Sequence, residues 1–348
     1  MANCNEIFKH YNAVIKLNDT NREVLKRVRD DLRKRMQSRF KEIPDTDIPN
    51  HILDFQSQGS FVMDTIITPK DDDFDLDDGV YFVGNLSKEN RPLPDAFHKW
   101  VLFAVGENET YASVTDKETC VRVSYKKEKF HIDLPIYYSN TENSSELAHT
   151  ISGWILSGPI EFVIWFEEKA ESGFQKAFLM ESKMFSEYEK WLNDIRKEDV
   201  QLRRIVRYLK AWGDHLRGDM PPGIVMTILA AENYVANERD DIALRDTLRG
   251  IKSFLDNNKI KCPRPTTPID EDLFANYSDT KKKYFMDRLT TFINSANQAI
   301  SSPNPKEACL KWQKHLGDRF PCSLAKDEIE GAKEFGAPAV IGDRAKSA

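Results

Sequence analysis

Six of the eight positions Asp71–Asp78 are aspartate, and the run leads into the apolar stretch Val80-Tyr81-Phe82-Val83. Carboxylates this crowded resist ionising together, so water, a cation or both must offset the repulsion. From Asp73 the pattern has period two: Asp73, Asp75 and Asp77 take one face, Phe74 and Leu76 the other. That predicts a strand with one acidic face and one packed face. A solvated loop suits Asp71 and Asp72, which follow Pro69-Lys70, but not the alternating pair Asp75 and Asp77. An EF-hand calcium loop begins the same way, yet it needs Gly at its sixth position and Glu at its twelfth. Here those positions hold Asp78 and Gly84. A catalytic divalent-metal site, with carboxylates converging from a rigid base, remains.

Two later runs supply a third carboxylate. "TCVRVSY" (119–125) alternates, and "KFHIDLPIYY" (129–138) puts Phe130, Ile132 and Leu134 on one face and His131 and Asp133 on the other. With a turn at Tyr125–Lys129 the two runs read as a hairpin. If its second strand neighbours the acidic strand, Asp133 joins Asp75 and Asp77. Mg²⁺ favours such oxygen ligands and completes its shell with water and substrate phosphate. Upstream, Gln58-Gly59-Ser60 offers a backbone that a ligand can approach closely, plus a hydroxyl and an N–H for a phosphate. A Gly-Ser pair alone is a common turn; followed by D-x-D and a lone strand aspartate it is far more specific.

Residues 20–42 read as a long amphipathic helix. Thr20 and Glu23 form a capping box, Leu25, Val28, Leu32, Met36 and Phe40 make one stripe, and Pro44 ends it. Helix-period segments at 181–197, 200–216, 223–237, 244–258 and 282–300 follow, broken at "GDMPPG", "KCPRPTTP" and "SSPNPK". Strands first and helices later predict an α+β lobe joined to a helical lobe. The lobes are placed at 1–175 and 176–330, with a mobile Gly/Ala-rich tail over 331–348. The five cysteines show no CxxC pair, so neither a disulfide framework nor a zinc module follows. The start of the chain has no apolar run of a signal peptide. No stretch approaches the ~18 apolar residues of a spanning helix. The expectation is a soluble, cytoplasmic protein without membrane contact. A net charge of −6 gives no basic footprint for duplex DNA.

"QGSFVMDTII", "DFDLDDGVYF" and "HIDLPIYY", followed by "YLKAWGDHL", "MPPGIVMTILAAENY", "CPRPTTPIDEDL" and "KWQKHLGDRFP", resemble the DNA polymerase β-like nucleotidyltransferases. More closely they resemble the bacterial cyclic GMP–AMP synthase/DncV-like nucleotidyltransferases (CD-NTases) of CBASS anti-phage systems. The resemblance spans about 58–321. It implies a polymerase β-like lobe, a mixed sheet plus a long N-terminal helix, packed on a C-terminal helical lobe like that of oligoadenylate synthetases. It makes Asp75, Asp77 and Asp133 the catalytic, metal-binding carboxylates for two Mg²⁺, with Mn²⁺ able to substitute. Gln58, Gly59 and Ser60 then hold the donor triphosphate, and Lys210 reaches it from the helical lobe. The D-x-D-D-G pattern selects Asp75 and Asp77 over Asp73. Pro222 stands where relatives often carry serine, so any phosphate contact of that serine is lost.

The implied activity condenses NTPs, with ATP and GTP expected, into a cyclic second messenger for a separate effector protein. Linear oligonucleotide synthesis, transfer to another acceptor, and nucleotide sensing without turnover are the alternatives. The resemblance also raises a ubiquitin-like conjugation enzyme acting on the C-terminal Ala348. The chain carries no Cys/His module of the kind the animal enzyme uses to engage DNA.

Overall fold

The structure, a computed structural model, describes residues 1–43, 51–70, 74–127, 129–139, 145–170 and 199–326. Asp71–Asp73, Pro44, the helix expected at 181–197 and the tail from residue 327, Ala348 included, lie outside the described residues.

Helix α1 (Asn5–Ile15) buries Ile7, Phe8, Tyr11 and Ile15. Helix α2 (Asp19–Phe40) is the long amphipathic helix, but its cap is Asn18, not Thr20: the Asn18 side chain accepts from the Asn21 N–H. An Asn two residues upstream takes the orphan donor first, so Thr20 falls inside the first turn. Leu25, Leu32 and Met36 are buried, with Val28 and Phe40 packed beside them.

The sheet strands are β1 (Ile52–Gln58), β2 (Phe74–Val83), β3 (Tyr111–Asp116), β4 (Cys120–Tyr125), β5 (Phe130–Ser139), β6 (Ser145–His149) and β7 (Gly153–Leu156). Their order is β1-β2-β5-β4-β3, and β6 pairs with both β5 and β7. β2 and β5 are parallel; the other pairs are antiparallel. The sheet is therefore mixed, as expected, and β4 and β5 form the expected hairpin. Helix α3 (Gly59–Val62) follows β1 without a break, and α4 (Pro94–Val105) packs on α2. Phe82, Phe97, Val101, Ile132 and Leu134 are among the buried residues of this lobe.

Helices α5 (Pro159–Ala170), α6 (Gln201–Leu216), α7 (Gly223–Glu232), α8 (Asp240–Asn257), α9 (Asp279–Ser301) and α10 (Pro305–Leu316) follow. The periodic segment at 223–237 stops being helical at Glu232. Although first in the chain, α1 packs on the helical lobe. Phe8 meets Tyr208, Trp312 and Phe320 edge-on, and the Tyr11 hydroxyl donates to the Leu316 carbonyl at 2.8 Å. Cys309 and Cys322 are paired as a disulfide with Cα atoms 5.5 Å apart. This corrects the expectation of no disulfide: a lone 13-residue spacing carries no pairing signal, and only the turn after α10 brings the two together. Cys4, Cys120 and Cys262 are buried free thiols. No helix among the described residues is long and apolar enough to cross a membrane.

Candidate active site

Parallel pairing of β2 and β5 sets Asp75 opposite His131 and Asp77 opposite Asp133. Since i and i+2 share a strand face, the four residues make a block of two by two on one side of the sheet. Ligand atoms of Asp75, His131 and Asp133 lie within 4.8 Å of one another. Asp77, the fourth corner, stands outside that trio. Burial, then the charges of Asp75 and Asp133, push its carboxyl up to about 8, against the pull of Lys210 and Arg122. The repulsion expected from the sequence thus adds to burial at Asp77. Oxygen donors in this number, with one imidazole beside them, fit a hard divalent cation such as Mg²⁺ or Mn²⁺.

Asp78 points the other way and is fully buried. Arg33 grips it through Nε at 2.8 Å and through Nη2, and Ser57 donates to it at 2.9 Å. Arg29 donates to the same Ser57 hydroxyl at 2.8 Å. Two arginines of α2 thus brace the back of the acidic strand, so the helix does more than cover the core.

β1 pairs antiparallel with β2, bringing Gln58 opposite Asp77. The Gln58 amide nitrogen donates to the Tyr137 hydroxyl at 2.9 Å, while its buried Oε1 has no partner among the described residues. Gly59 has φ +67°, and a Cβ there would fall 2.4 Å from Asp77 Oδ2. Only glycine satisfies both the left-handed backbone and the close approach. Ser60 follows in the first turn of α3 and lines the same cleft.

Lys210 comes from α6. Its Nζ donates to the Thr65 carbonyl and hydroxyl, each at 3.2 Å. Burial lowers its pKa to about 8 despite the opposing pull of Asp75 and Asp77. At Gly223, a Cβ would approach the Lys210 stem to 3.3 Å, so the bare start of α7 leaves room for this side chain. Pro222 caps α7 without a side-chain hydrogen bond, and its carbonyl accepts from the Met226 N–H at 3.2 Å. A cleft of about 610 Å³ joins these parts. Its walls include Gln58, Gly59, Ser60, Asp75 and Asp77 from the sheet lobe and Lys210 from the helical lobe.

Two neighbours were not singled out in the sequence. His131 was placed on the face of Asp133 but not read as a ligand. Arg122, opposite Asp133 in the β4–β5 pairing, binds it through Nε–Oδ1 and Nη2–Oδ2, both at 2.6 Å. The alternation of "TCVRVSY" pointed to a strand; the partner of Arg122 depended on the hairpin register.

Residues 53–137 match the family model "Cyclic GMP-AMP synthase DncV-like, nucleotidyltransferase domain". Over that stretch the chain is similar to the DncV-like nucleotidyltransferases. A cyclic GMP-AMP synthase of Escherichia coli (strain TW11681) is 25% identical over 338 residues, covering 84% of this chain and 74% of that protein. A Vibrio cholerae di-nucleotide cyclase (DncV) mutant in complex with ATP, GTP and 5MTHFGLU2 superposes with a TM-score of 0.71 at 19% identity. The match covers 94% of this chain and 100% of that one. The Bradyrhizobium diazoefficiens CD-NTase CdnG in complex with GTP gives a TM-score of 0.68 at 15% identity, covering 95% and 97%. The chain thus has the DncV-like fold and is similar in sequence to cyclic GMP-AMP synthases.

Proposed function

We propose that the chain condenses ATP and GTP into a cyclic dinucleotide in the cleft between the lobes, with divalent cations held by Asp75, Asp77 and Asp133. The observation that carries this reading is the meeting of Asp75 and Asp77 with the Gln58–Ser60 turn and Lys210 around one cleft, with Asp133 paired beside Asp77 on the next strand. The relatives support the substrates: a DncV structure holds ATP and GTP, and another holds the linear intermediate 5' pppA(3',5')pG.

Asp75, Asp77 and Asp133 would hold the divalent cations, whose chemistry when bound would be to neutralise charge on the donor's phosphates. The rest falls to the chain. Gly59 and Ser60 seat the triphosphate against β2. Lys210 offsets its charge from the opposite wall. Asp133 orients the attacking ribose hydroxyl and accepts its proton. The oxygen then attacks the donor's α-phosphorus, forming the phosphodiester and expelling pyrophosphate. A second attack in the same cleft closes the ring. The catalytic power comes from positioning and charge stabilisation. Pro222 supplies no hydroxyl, so Ser60 and Lys210 bear the phosphate contacts on their respective walls. The product serves as a second messenger for a separate effector in anti-phage defence.

Incubation with labelled NTPs and Mg²⁺ or Mn²⁺, phosphatase treatment and mass spectrometry tests the reading. A phosphatase-resistant product containing A and G, lost in Asp75→Asn/Asp77→Asn, is expected. A phosphatase-sensitive product would replace cyclisation with linear synthesis. Bound NTP without any product would replace turnover with sensing.

A further inference from the structure

We infer that Arg122 is a positioning residue that occupies Asp133, the third carboxylate, until a divalent cation takes that carboxylate over. The inference rests on the metal-dependent reading above. Arg122 and Asp133 face each other across β4 and β5, and the guanidinium fork meets both carboxylate oxygens at 2.6 Å. Such a fork is among the strongest neutralising contacts a carboxylate can make in a protein. It engages one lone pair on each oxygen, approaching from β4, while Asp75 stands on β2 at the other side of β5. Asp133 also belongs to the trio of ligand atoms within 4.8 Å, so guanidinium and cation compete for the same oxygens.

The two positive groups beside the carboxylates are unequal. Lys210 is part-buried and tied to Thr65 by two hydrogen bonds. The Arg122 side chain is 28% exposed, so it can swing away without leaving a buried charge behind. Arg122 thus keeps the block compensated without metal and yields when metal arrives. A simple cross-strand brace would be indifferent to metal.

The test is Mn²⁺ binding to the full chain without nucleotide, read by electron paramagnetic resonance. It compares the parent chain with Arg122→Lys, Arg122→Gln and Asp75→Asn/Asp77→Asn, with thermal melts confirming the fold of each. Lysine keeps the charge but makes a point contact, leaving one oxygen open. The expected result is binding about tenfold tighter in Arg122→Gln and about threefold tighter in Arg122→Lys, since tenfold corresponds to about 1.4 kcal/mol of lost competition. If Arg122→Lys equals the parent while Arg122→Gln binds tighter, net charge alone acts and the inference is overturned. Unchanged or weaker binding in both variants would overturn it too, leaving Arg122 as a brace. If the parent's Mn²⁺ binding is absent or survives Asp75→Asn/Asp77→Asn, the metal site itself fails, a result separable from the other two.

Discussion

At the scale of single residues, Gly59 does work that no other side chain could take over. Its φ of +67° already disfavours an L-residue by about 1–2 kcal/mol. The larger effect is steric, because a Cβ would sit 2.4 Å from Asp77 Oδ2 and force that carboxylate or the turn to move. Displacement of a reacting group by about 1 Å can cost about 100-fold in rate. Gly59→Ala should therefore lower kcat by about that factor while the melting temperature falls only a few degrees. Pyrophosphate release and a thermal melt, measured side by side, check the pair of outcomes. A melt that collapses along with activity would mean that the turn holds the fold and not the chemistry.

At the scale of elements, the back of the acidic strand is the weak point. Asp78 is buried with Arg33 as its ionic partner, and removing one member of a buried pair leaves an uncompensated charge. Arg33→Ala should cost about 3 kcal/mol, at the low end for such pairs because Ser57 still donates to Asp78. The urea midpoint reports it. This pairing also marks the limit of what the chain discloses. The alternation of Asp75, Leu76 and Asp77 was enough to read a strand and its two faces. Nothing in that pattern told that Asp78, one residue on, would be met by Arg33 from α2, because the contact joins positions 45 apart. The hairpin shows the same boundary. A turn centred on Lys127 sets Arg122 against Ile132, whereas the observed pairing sets it against Asp133. A slip of one residue changes which side chains meet, and composition does not fix it. Helix α1 was not singled out although Ile7, Phe8, Tyr11 and Ile15 recur at helical spacing; what the sequence hid is its packing on Tyr208, Trp312 and Phe320.

At the scale of the whole molecule, the lobes are joined by charge as well as by packing. Asp64, with φ +53°, follows α3 and receives Lys16, Arg22 and the fully buried Arg207 from three different parts of the chain. Asn tolerates that backbone, so Asp64→Asn removes the charge and little else. It should cost about 2 kcal/mol in urea and raise KM for NTP, because α3 begins with Gly59 and Ser60. An unchanged KM would separate this junction from the cleft. The helical lobe carries its own sensitivity, to acid. His315 stacks on Phe292 with centroids 4.6 Å apart, and its Nε2 lies 2.8 Å from the Ser295 hydroxyl. Burial, then the nearby charges of Lys314, His215 and Arg288, lower its pKa to about 4. Because the folded value is depressed below the unfolded one, the unfolded chain binds this proton first as the pH falls. The stability is present in full above about pH 6.5 and is lost as the pH falls toward about 4. Between about pH 7 and pH 5 the loss should be about 1.5 kcal/mol, after allowing for solvent screening at a site that is not wholly enclosed. Asp77, whose carboxyl is raised to about 8, shifts stability the opposite way over that interval, so the histidine is read as the difference between the urea midpoints of the parent and of a His315 variant. His315→Gln, which can still reach Ser295 but carries no titrating proton, should flatten the slope; a slope that persists would assign the acid sensitivity to another group.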